Sequence, residues 1–497
     1  MIRNYCFSLI NYLRRHKIRT AIGGILLLWY IFCLPSPLFK EGYATVVESR
    51  EGKLLGGKIA PDGQWRFPER DTVPYKLREA ILAFEDAHFY YHWGVNPIST
   101  AKALLTNLRH GHTVRGGSTL TQQVIRLARK NKARTYGEKL IEAIWATRLE
   151  FRYSKEKILA LYASHAPFGG NVIGADMAAW RYFGVSLEQL SWAEACTLAV
   201  LPNAPGLIFP GHNQNALKKK RDFLLEKLLK NHTIDKTTYE LSLEEPLVER
   251  PHELPNIAPH LVERIARTTP NKRQVTTIDY YLQERVQEVI AKYYRHYKRF
   301  EVHNLCALVV DVQSREVLAY VGNSPTDEQH HKDVNIIHRP RSTGSVLKPF
   351  LYTAMLDSGE LLPQELVGDI PTHIGGYSPE NFENPYEGAV PADEALYRSL
   401  NIPFVLLLRQ YGISRFYQQL QKLRLRSINR SPDHYGLSLI LGGAECSLWE
   451  LAQAYANMGY ELNEYTQTGK YRSHAFQRLT YLRGCLLYTS DAADERS

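Results

Sequence analysis

The chain has few cysteines, and their positions exclude two kinds of site. The six are scattered, without the short paired spacings of zinc sites or disulfide frameworks, at Cys6, Cys33, Cys196, Cys306, Cys446 and Cys485. We therefore expect them to be buried apolar residues. Long polar segments are also missing, since 44% of the residues are hydrophobic and 23% are charged. This balance is typical of globular domains and gives no reason to predict a long disordered segment.

Length and net charge limit the architecture and the partners. At 497 residues and 57.0 kDa the chain exceeds what one hydrophobic core usually supports, so we expect two or three domains. The formal net charge is +10 at pH 7. On an exterior domain this charge favours anionic lipid headgroups, pyrophosphates or acidic polymers as partners. Nucleic acid is disfavoured as a partner by the membrane anchor predicted next.

The amino end has the pattern of a membrane anchor. An uncharged stretch covers residues 20–39 and follows a basic flank of Arg3, Arg14, Arg15, His16, Lys17 and Arg19. The stretch has roughly the ~20 residues that a bilayer requires. The basic flank predicts a cytoplasmic tail and anchor over residues 1–40, with the rest of the chain on the exterior side. A cleaved signal peptide is the alternative, although no small-x-small cleavage site follows the apolar run.

The remainder divides into a helical half and a mixed half. Apolar residues recur at helical spacing between 75 and 229, and prolines at 246, 251, 255, 259 and 270 then indicate a connector. Two β-rich runs, 305–312 and 317–321, predict a hairpin. Residues 345–357 are predicted to form a buried helix that begins at Ser345.

The first group of chemical residues is a carboxylate pair with a polar loop between its members. Residues 85–94 read E-D-A-H-F-Y-Y-H-W-G, residues 116–123 read G-G-S-T-L-T-Q-Q, and Glu142 follows. We expect Glu85, Phe89 and His92 to share one helical face. An acidic pair at a helix end is usually solvated, but the loop adds hydroxyl and amide donors suited to sugar and phosphate oxygens.

These segments resemble the glycosyltransferase family 51 domain of class A penicillin-binding proteins. The resemblance runs from about residue 60 to 229, with the first two motifs of that family complete at 85–94 and 116–123. The third motif, basic-Lys-x-x-Glu, has Glu138 at its basic position, and Arg134 is a candidate to supply that charge. The fourth, at 157–164, ends in Ser164 where asparagine is usual, and a weaker fifth fits 220–225. The run 166–171 resembles the 1C subgroup.

The resemblance implies the roles of individual residues. Glu85 would be the general base that activates the acceptor hydroxyl, with inversion at the donor carbon. Glu142, Lys139 and Arg126 would act at the pyrophosphate that leaves, with Thr119 and Gln123 positioning the substrates. The substrate-binding set would be Asp86, Phe89, His92, Thr119, Gln123, Arg126 and Lys139. A divalent cation, Mg²⁺ or Mn²⁺, is implied by family analogy alone, because no metal-ligand spacing is present.

A second group resembles the penicillin-binding transpeptidase domain. Ser345 and Lys348 form S-x-x-K, and Ser399 and Asn401 form S-x-N. By this resemblance Ser345 is the acylated nucleophile, Lys348 its base, and Ser399 with Asn401 the proton relay and substrate amide partner. The implied substrate is a peptide stem ending in D-Ala-D-Ala, and β-lactams would acylate the same serine. The family's K-T-G strand motif is missing after Asn401, and Q-T-G at 467–469 is a poor substitute.

Together these features predict a multidomain α+β protein of the bacterial inner membrane. It would have a single transmembrane helix, a mostly helical lysozyme-like glycosyltransferase domain at 50–235, a linker at 236–300 and an incomplete transpeptidase domain at 301–480. Residues 485–497 resemble a non-native tail, and we expect transpeptidation to be impaired. The expected partners are lipid II, nascent glycan strands, peptide stems, β-lactams and membrane lipids. A lysozyme-like hydrolase and a non-catalytic glycan- or lipid II-binding protein are the alternatives.

Overall fold

The computed structural model describes residues 16–110, 117–132, 135–203, 206, 210–382, 386–471 and 476–483. The chain forms two compact units. Unit 1 contains the residues up to Val47, Gly56–Asn256 and Val262–Gln274, and unit 2 contains Glu48–Leu55, Ile257–Leu261 and the residues from Val275 onward. The elements within which the chain passes from one unit to the other are β1 (Thr45–Glu48), β2 (Leu54–Lys58), α11 (Pro259–Thr268) and β6 (Arg273–Val275).

Unit 1 is mostly helical, as the apolar spacing predicts. Its helices are α1 (Lys17–Phe32), α2 (Tyr75–Glu85), α3 (Pro97–His110), α4 (Leu120–Ala128), α5 (Tyr136–Glu150), α6 (Lys155–His165), α7 (Ala175–Phe183), α8 (Trp192–Val200), α9 (Gln214–Lys230) and α10 (Lys236–Glu244). Short 3₁₀ turns cover Phe89–Tyr91, Leu187–Gln189 and Leu201–Asn203. A small sheet has β5 (Val172–Ile173) between β3 (Trp65–Arg66) and β4 (Pro167–Gly169).

The predicted anchor is only partly helical. Helix α1 has 16 residues and ends at Phe32, just before Pro35 and Pro37, which have no backbone N–H to donate to a helix. Its apolar side chains are largely exposed, among them Ile18 at 78% and Leu26 at 59%. Across the part of the chain that the structure describes, no helix has both the length and the hydrophobicity to cross a bilayer.

The core of unit 1 is built around α8. Helices α2 and α9 pack against it, and every residue from Ala193 to Val200 except Glu194 is buried. Its small side chains let the neighbouring backbones approach closely. The Ser191 hydroxyl caps α8 by accepting a hydrogen bond from the backbone N–H of Glu194. The Glu194 carboxylate in turn accepts a hydrogen bond from the backbone N–H of Ser191. This packing holds the carboxyl end of α2, where Glu85 lies, in a fixed position.

Unit 2 is mixed α and β. Its helices are α12 (Tyr280–Tyr297), α13 (Lys348–Asp357), α14 (Ala392–Tyr397), α15 (Asn401–Tyr411), α16 (Ile413–Lys422), α17 (Pro432–Tyr435) and α18 (Leu448–Thr468), with 3₁₀ turns at Lys298–Phe300 and Gly436–Leu441. Three antiparallel pairs join β7 (Ala307–Val310) to β8 (Val317–Val321), β10 (Leu366–Asp369) to β11 (Gly388–Pro391), and β9 (Arg341–Ser342) to β12 (Glu445–Cys446). The hairpin predicted near 305–321 is therefore present.

Helix α13 begins later than predicted. Residues 343–347 form tight turns, in which the N–H of Val346 donates to the carbonyl of Thr343 and the N–H of Lys348 to that of Ser345. The helix proper starts at Lys348, with Pro349 in its first turn, a position that suits proline because its missing N–H has no helical partner there. The prediction that the helix begins at Ser345 was wrong by three residues, and its end at Asp357 was correct.

Candidate active sites

Glu85 is the last residue of α2, and its carboxylate is held rather than solvated. Gln123 Nε2 donates a hydrogen bond to Glu85 Oε2 at 2.8 Å. Burial raises the pKa of the Glu85 carboxyl, and the charge of Asp86 raises it further. The Gln123 hydrogen bond and the charges of Lys220 and Arg126 oppose that rise. A partly desolvated carboxylate with a raised pKa is a stronger base than a solvated one.

Asp86 and His92 hold the loop that follows α2. Asp86 Oδ2 accepts a hydrogen bond from the backbone N–H of Leu120 at 3.1 Å and lies 2.9 Å from His92 Nε2. Asp86 and His92 are both buried. The helix ends at Glu85 because Asp86 leaves helical geometry, and Phe89 lies in a separate 3₁₀ turn. The expectation that Glu85, Phe89 and His92 share one helical face was therefore wrong, although Phe89 and His92 still pack edge to face.

Thr119 connects the first two motifs. Its hydroxyl donates to the carbonyl of Gly94 at 2.6 Å and accepts from the backbone N–H of Gln122, which caps α4. Gly94 has φ +85°, and a Cβ there would lie 2.6 Å from the carbonyl oxygen of Ala146. Only glycine fits this close approach to α5. The substrate contact predicted for Thr119 stays a prediction, since its side chain is buried and serves the loop.

Arg126 binds the second glutamate. Its Nε and Nη2 donate to Glu142 Oε1 and Oε2 at 3.0 and 2.9 Å, and Nη2 also donates to Ser118 Oγ at 3.0 Å. Gln123 and Arg126 are three residues apart on α4, about 4.5 Å along its axis and on one face. Helix α4 therefore links Glu85 and Glu142 through neighbouring side chains, although these two glutamates are 57 positions apart in the chain, 85 against 142.

The third motif departs from the family pattern, and the structure shows where its charges lie. Glu138 pairs with Arg129 of the α4 carboxyl end. Lys139 is exposed, and its predicted contact with a pyrophosphate stays a prediction. Arg134 and Gly116, the first residue of the second motif, lie outside the described residues.

Two residues near Glu85, Tyr162 and Lys220, were not among the predicted site residues. Tyr162 of α6 is 2% exposed and its hydroxyl has no hydrogen-bond partner among the described residues; burial raises its pKa well above the ordinary value, with the charge of Glu85 contributing. Lys220 of α9 donates to Asn203 Oδ1 at 2.9 Å, and burial lowers its pKa while the charge of Glu85 opposes this. Both lie in segments that resemble the fourth and fifth motifs, so a signal for them was present.

The ligands that a divalent cation would need are absent from the described residues. Within the described residues, no group of three or more His, Cys, Asp or Glu side chains is placed to hold a metal ion. Both oxygens of Glu142 are taken by Arg126, and Gln123 binds Glu85. The described residues therefore do not fit the implied Mg²⁺ or Mn²⁺.

In unit 2, the buried side chain of Lys348 is the centre of a polar network. It is 1% exposed, and its Nζ donates to Asn401 Oδ1 at 2.8 Å, to the Ser399 carbonyl at 2.8 Å and to Ser399 Oγ at 3.3 Å. Burial lowers the pKa of Lys348 to about 8. The structure thus brings together Lys348, Ser399 and Asn401, while Ser345 lies one turn before Lys348 with no hydrogen bond between the two side chains in the described part of the chain.

Asp369 and Asn381 support this network and were not predicted. Asn381 Oδ1 accepts hydrogen bonds from the backbone N–H groups of Asn401 and Ile402, and its Nδ2 donates to Asp369 Oδ1 at 2.7 Å. Asp369, at the end of β10, and Asn381 are both buried, while Asn401 at the start of α15 is partly buried. Q-T-G at 467–469 is no strand motif, because Thr468 ends α18 and Gly469 is its left-handed cap.

Comparisons with known proteins match both halves of the chain to known domain families. The Transglycosylase family model matches residues 57–229, and the penicillin binding protein transpeptidase domain model matches residues 305–468. Penicillin-binding protein 1C of Escherichia coli (strain K12) is 36% identical over 423 residues, which cover 85% of this chain and 54% of that protein. The chain belongs to the class A penicillin-binding proteins.

Two further proteins of this kind share lower identity with the chain. Penicillin-binding protein 1B of Vibrio cholerae is 28% identical over 467 residues, covering 88% of this chain and 58% of that protein. The crystal structure of penicillin-binding protein 1A from Haemophilus influenzae covers 84% of this chain and 68% of that chain, with 19% identity and a TM-score of 0.40. This chain spans about half the length of the curated class A relatives described here.

Proposed function

We propose that unit 1 is a peptidoglycan glycosyltransferase that polymerises lipid II into glycan strands. The observation that carries the proposal is the link made by α4, whose Gln123 binds the raised-pKa carboxylate of Glu85 while its Arg126 binds Glu142. A general base and a set of basic side chains are what transfer of a sugar from a pyrophosphate requires.

In this proposal Glu85 removes the proton from the acceptor sugar hydroxyl. That oxygen forms a bond to the anomeric carbon of the donor as the bond from this carbon to the pyrophosphate oxygen breaks, with inversion. The proton stays on Glu85, and undecaprenyl pyrophosphate leaves with the bonding electrons. Arg126, Lys139 and Lys220 are the basic groups that stabilise its growing negative charge.

A lysozyme-like hydrolase is a weaker proposal. Hydrolysis at a carboxylate pair needs the second carboxylate free to act as nucleophile or as the base for water. Arg126 occupies both oxygens of Glu142. A bidentate guanidinium stabilises the charged carboxylate and opposes both roles.

The direct test is incubation of the full chain in detergent with lipid II, followed by separation of the glycan products by size. We expect polymer together with released undecaprenyl pyrophosphate. If the chain binds lipid II and forms no polymer, the binding-protein alternative is correct. Cleavage of preformed glycan strands with no polymer would favour the hydrolase.

We further propose that the protein is anchored in the bacterial inner membrane with both units on the exterior side. The exposed apolar side chains of α1 support contact with membrane lipids. The carboxyl end of α1 is joined to α5, since Tyr30 Oη donates to Thr147 Oγ1 at 3.1 Å and Arg148 Nε donates to the Ile31 carbonyl at 3.1 Å. These bonds would keep the glycosyltransferase site next to a lipid-linked substrate.

For unit 2 we propose an acyl-serine site that reacts with peptide stems ending in D-Ala-D-Ala and with β-lactams. Ser345 would attack the carbonyl, and Lys348 would take its proton. The buried amine of Lys348 supports this role, since its lowered pKa places an appreciable neutral fraction near neutral pH.

Acylation by a fluorescent penicillin should therefore depend on pH through Lys348. Only the neutral amine can accept the serine proton, so with a pKa of about 8 the rate should rise roughly tenfold from pH 7 to a plateau above pH 9. The measurement is gel fluorescence of the full chain against time. Ser345→Ala should abolish the labelling, and a pH-independent rate in the unaltered chain would contradict the role of Lys348.

A further inference from the structure

The third motif of this chain has no basic residue at its first position, so another residue must supply the positive charge that this position usually provides. The motif has a basic residue where this chain has Glu138, an exchange that places a negative charge beside a site proposed to hold a pyrophosphate. A pyrophosphate is a strongly anionic leaving group, so a cation lost at this position would have to be supplied from elsewhere.

Helices α4 and α5 are joined by two arginine–glutamate pairs. The first is Arg126 with Glu142, and the second is Arg129 with Glu138, whose atoms Nε and Oε1 are 2.5 Å apart. The two arginines are three residues apart and the two glutamates are four residues apart. The later arginine pairs with the earlier glutamate, as expected for two helices that run antiparallel. Arg129, the capping residue that follows α4, therefore lies about one helical turn beyond Arg126.

The two arginines differ in how many of their donors are used. Arg126 donates through Nε and Nη2 to three oxygens. Arg129 donates to Glu138 through Nε, and its guanidinium carbon lies 4.6 Å from the centroid of the Trp145 ring. Within the described residues neither Nη atom of Arg129 makes a hydrogen bond. Arginine has five N–H donors in a fixed fork, so Arg129 keeps a fork available for phosphate oxygens.

We propose that Arg129 supplies the cation that the third motif usually places at position 138, and that Glu138 and Trp145 orient its guanidinium toward the leaving pyrophosphate. The inference rests on the proposed glycosyltransferase function. The Arg129 and Glu138 side chains are each 14% exposed, so the pair is partly buried but still reaches solvent. The hydrogen bond from Arg129 lowers the pKa of Glu138, which keeps the anchoring charge present at neutral pH.

The experiment compares steady-state polymerisation of lipid II by the full chain and its variants. Arg129→Gln should raise KM for lipid II about tenfold or more, because a charge-assisted hydrogen bond to the pyrophosphate is lost. Lys130→Gln is the matched control. It removes the same charge from the next residue, which is 78% exposed and pairs with Glu41, and it should leave KM within twofold of the unaltered chain.

A purely structural role for the pair is tested by Arg129→Leu combined with Glu138→Leu. This double variant leaves no unpaired charge and should fold with an unchanged Tm. We expect the double variant to show the same rise in KM as Arg129→Gln. In Arg129→Lys, which keeps the positive charge, we expect KM to return part of the way to the value of the unaltered chain.

An unchanged KM in the double variant would overturn the proposal, and so would a rise in KM confined to Arg134→Gln. If the unaltered chain forms no glycan, the proposed function fails first. If it forms glycan and the Arg129 variants match it, only this inference fails.

Discussion

Replacing Glu85 by glutamine is expected to lower the rate of glycan polymerisation by about 10²–10⁴-fold. Glutamine has nearly the same shape, and its carbonyl oxygen can still accept the hydrogen bond that Gln123 donates to Glu85. What is lost is the ability to take a proton from the acceptor hydroxyl. The measurement is the initial rate of polymer formation from lipid II at saturating concentration.

A control on the same helix separates base chemistry from a general charge effect. Glu79 of α2 is partly exposed and pairs with Arg78, so Glu79→Gln removes one negative charge away from the site. Its polymerisation rate should match that of the unaltered chain. A Glu85→Gln variant that keeps more than about one third of the rate would show that Glu85 is not the base.

The same Glu85 variant should be more stable than the unaltered chain at neutral pH. Burial raises the folded-state pKa of Glu85, so the folded state holds its proton more tightly than the unfolded state. Stability therefore falls as pH rises from the unfolded pKa through the folded one. Thermal unfolding should give a higher Tm for Glu85→Gln at pH 7, and the difference should disappear below about pH 4, where the carboxyl is protonated in both states.

The second large effect is expected at Arg126. Replacing it by leucine leaves the buried Glu142 carboxylate without its partner. Breaking a buried ion pair in this way typically costs about 3–5 kcal/mol of unfolding free energy. We expect the free energy of unfolding to fall by that amount in denaturant titrations, and polymerisation to be lost with it.

Removing Glu142 as well should restore stability. The double variant Arg126→Leu with Glu142→Leu has no unpaired charge, and pairs of this kind are often replaced by apolar residues at little cost. We expect it to recover most of the lost free energy while polymerisation stays absent. If the single and double variants were equally unstable, the pair would not be coupled in the way the hydrogen bonds indicate.

The sequence predicts the helical character of unit 1 and the β7–β8 hairpin because their apolar spacing is regular. It also identifies the motif residues, since Glu85, Gln123, Arg126 and Glu142 lie in short strings that resemble a known family. The geometry that joins them depends on tertiary packing. Glu85, Phe89 and His92 were expected to share one helical face, but the chain leaves the helix at Asp86, whose side chain accepts a hydrogen bond from the N–H of Leu120 of α4.

Long-range partners were the least predictable part of both sites. Asp369 and Asn381 carry no motif, and they reach Asn401 only through the packing of β10 and α15. The pairing of Arg129 with Glu138 was likewise not predicted, because a contact between two helices depends on how they are aligned along their axes. The helical part of the predicted anchor is shorter than the uncharged stretch, because Pro35 and Pro37 follow the end of α1.

The most direct test of the central claim is the pH dependence of kcat/KM for lipid II in the unaltered chain and in Gln123→Met. The acidic limb of this profile reports the pKa of the essential base in the free enzyme. The hydrogen bond from Gln123 lowers the pKa of Glu85 against the effect of burial. We predict that the limb lies above the ordinary glutamate range and moves to higher pH in Gln123→Met. An acidic limb at the same pH in both proteins would show that the catalytic base is not Glu85.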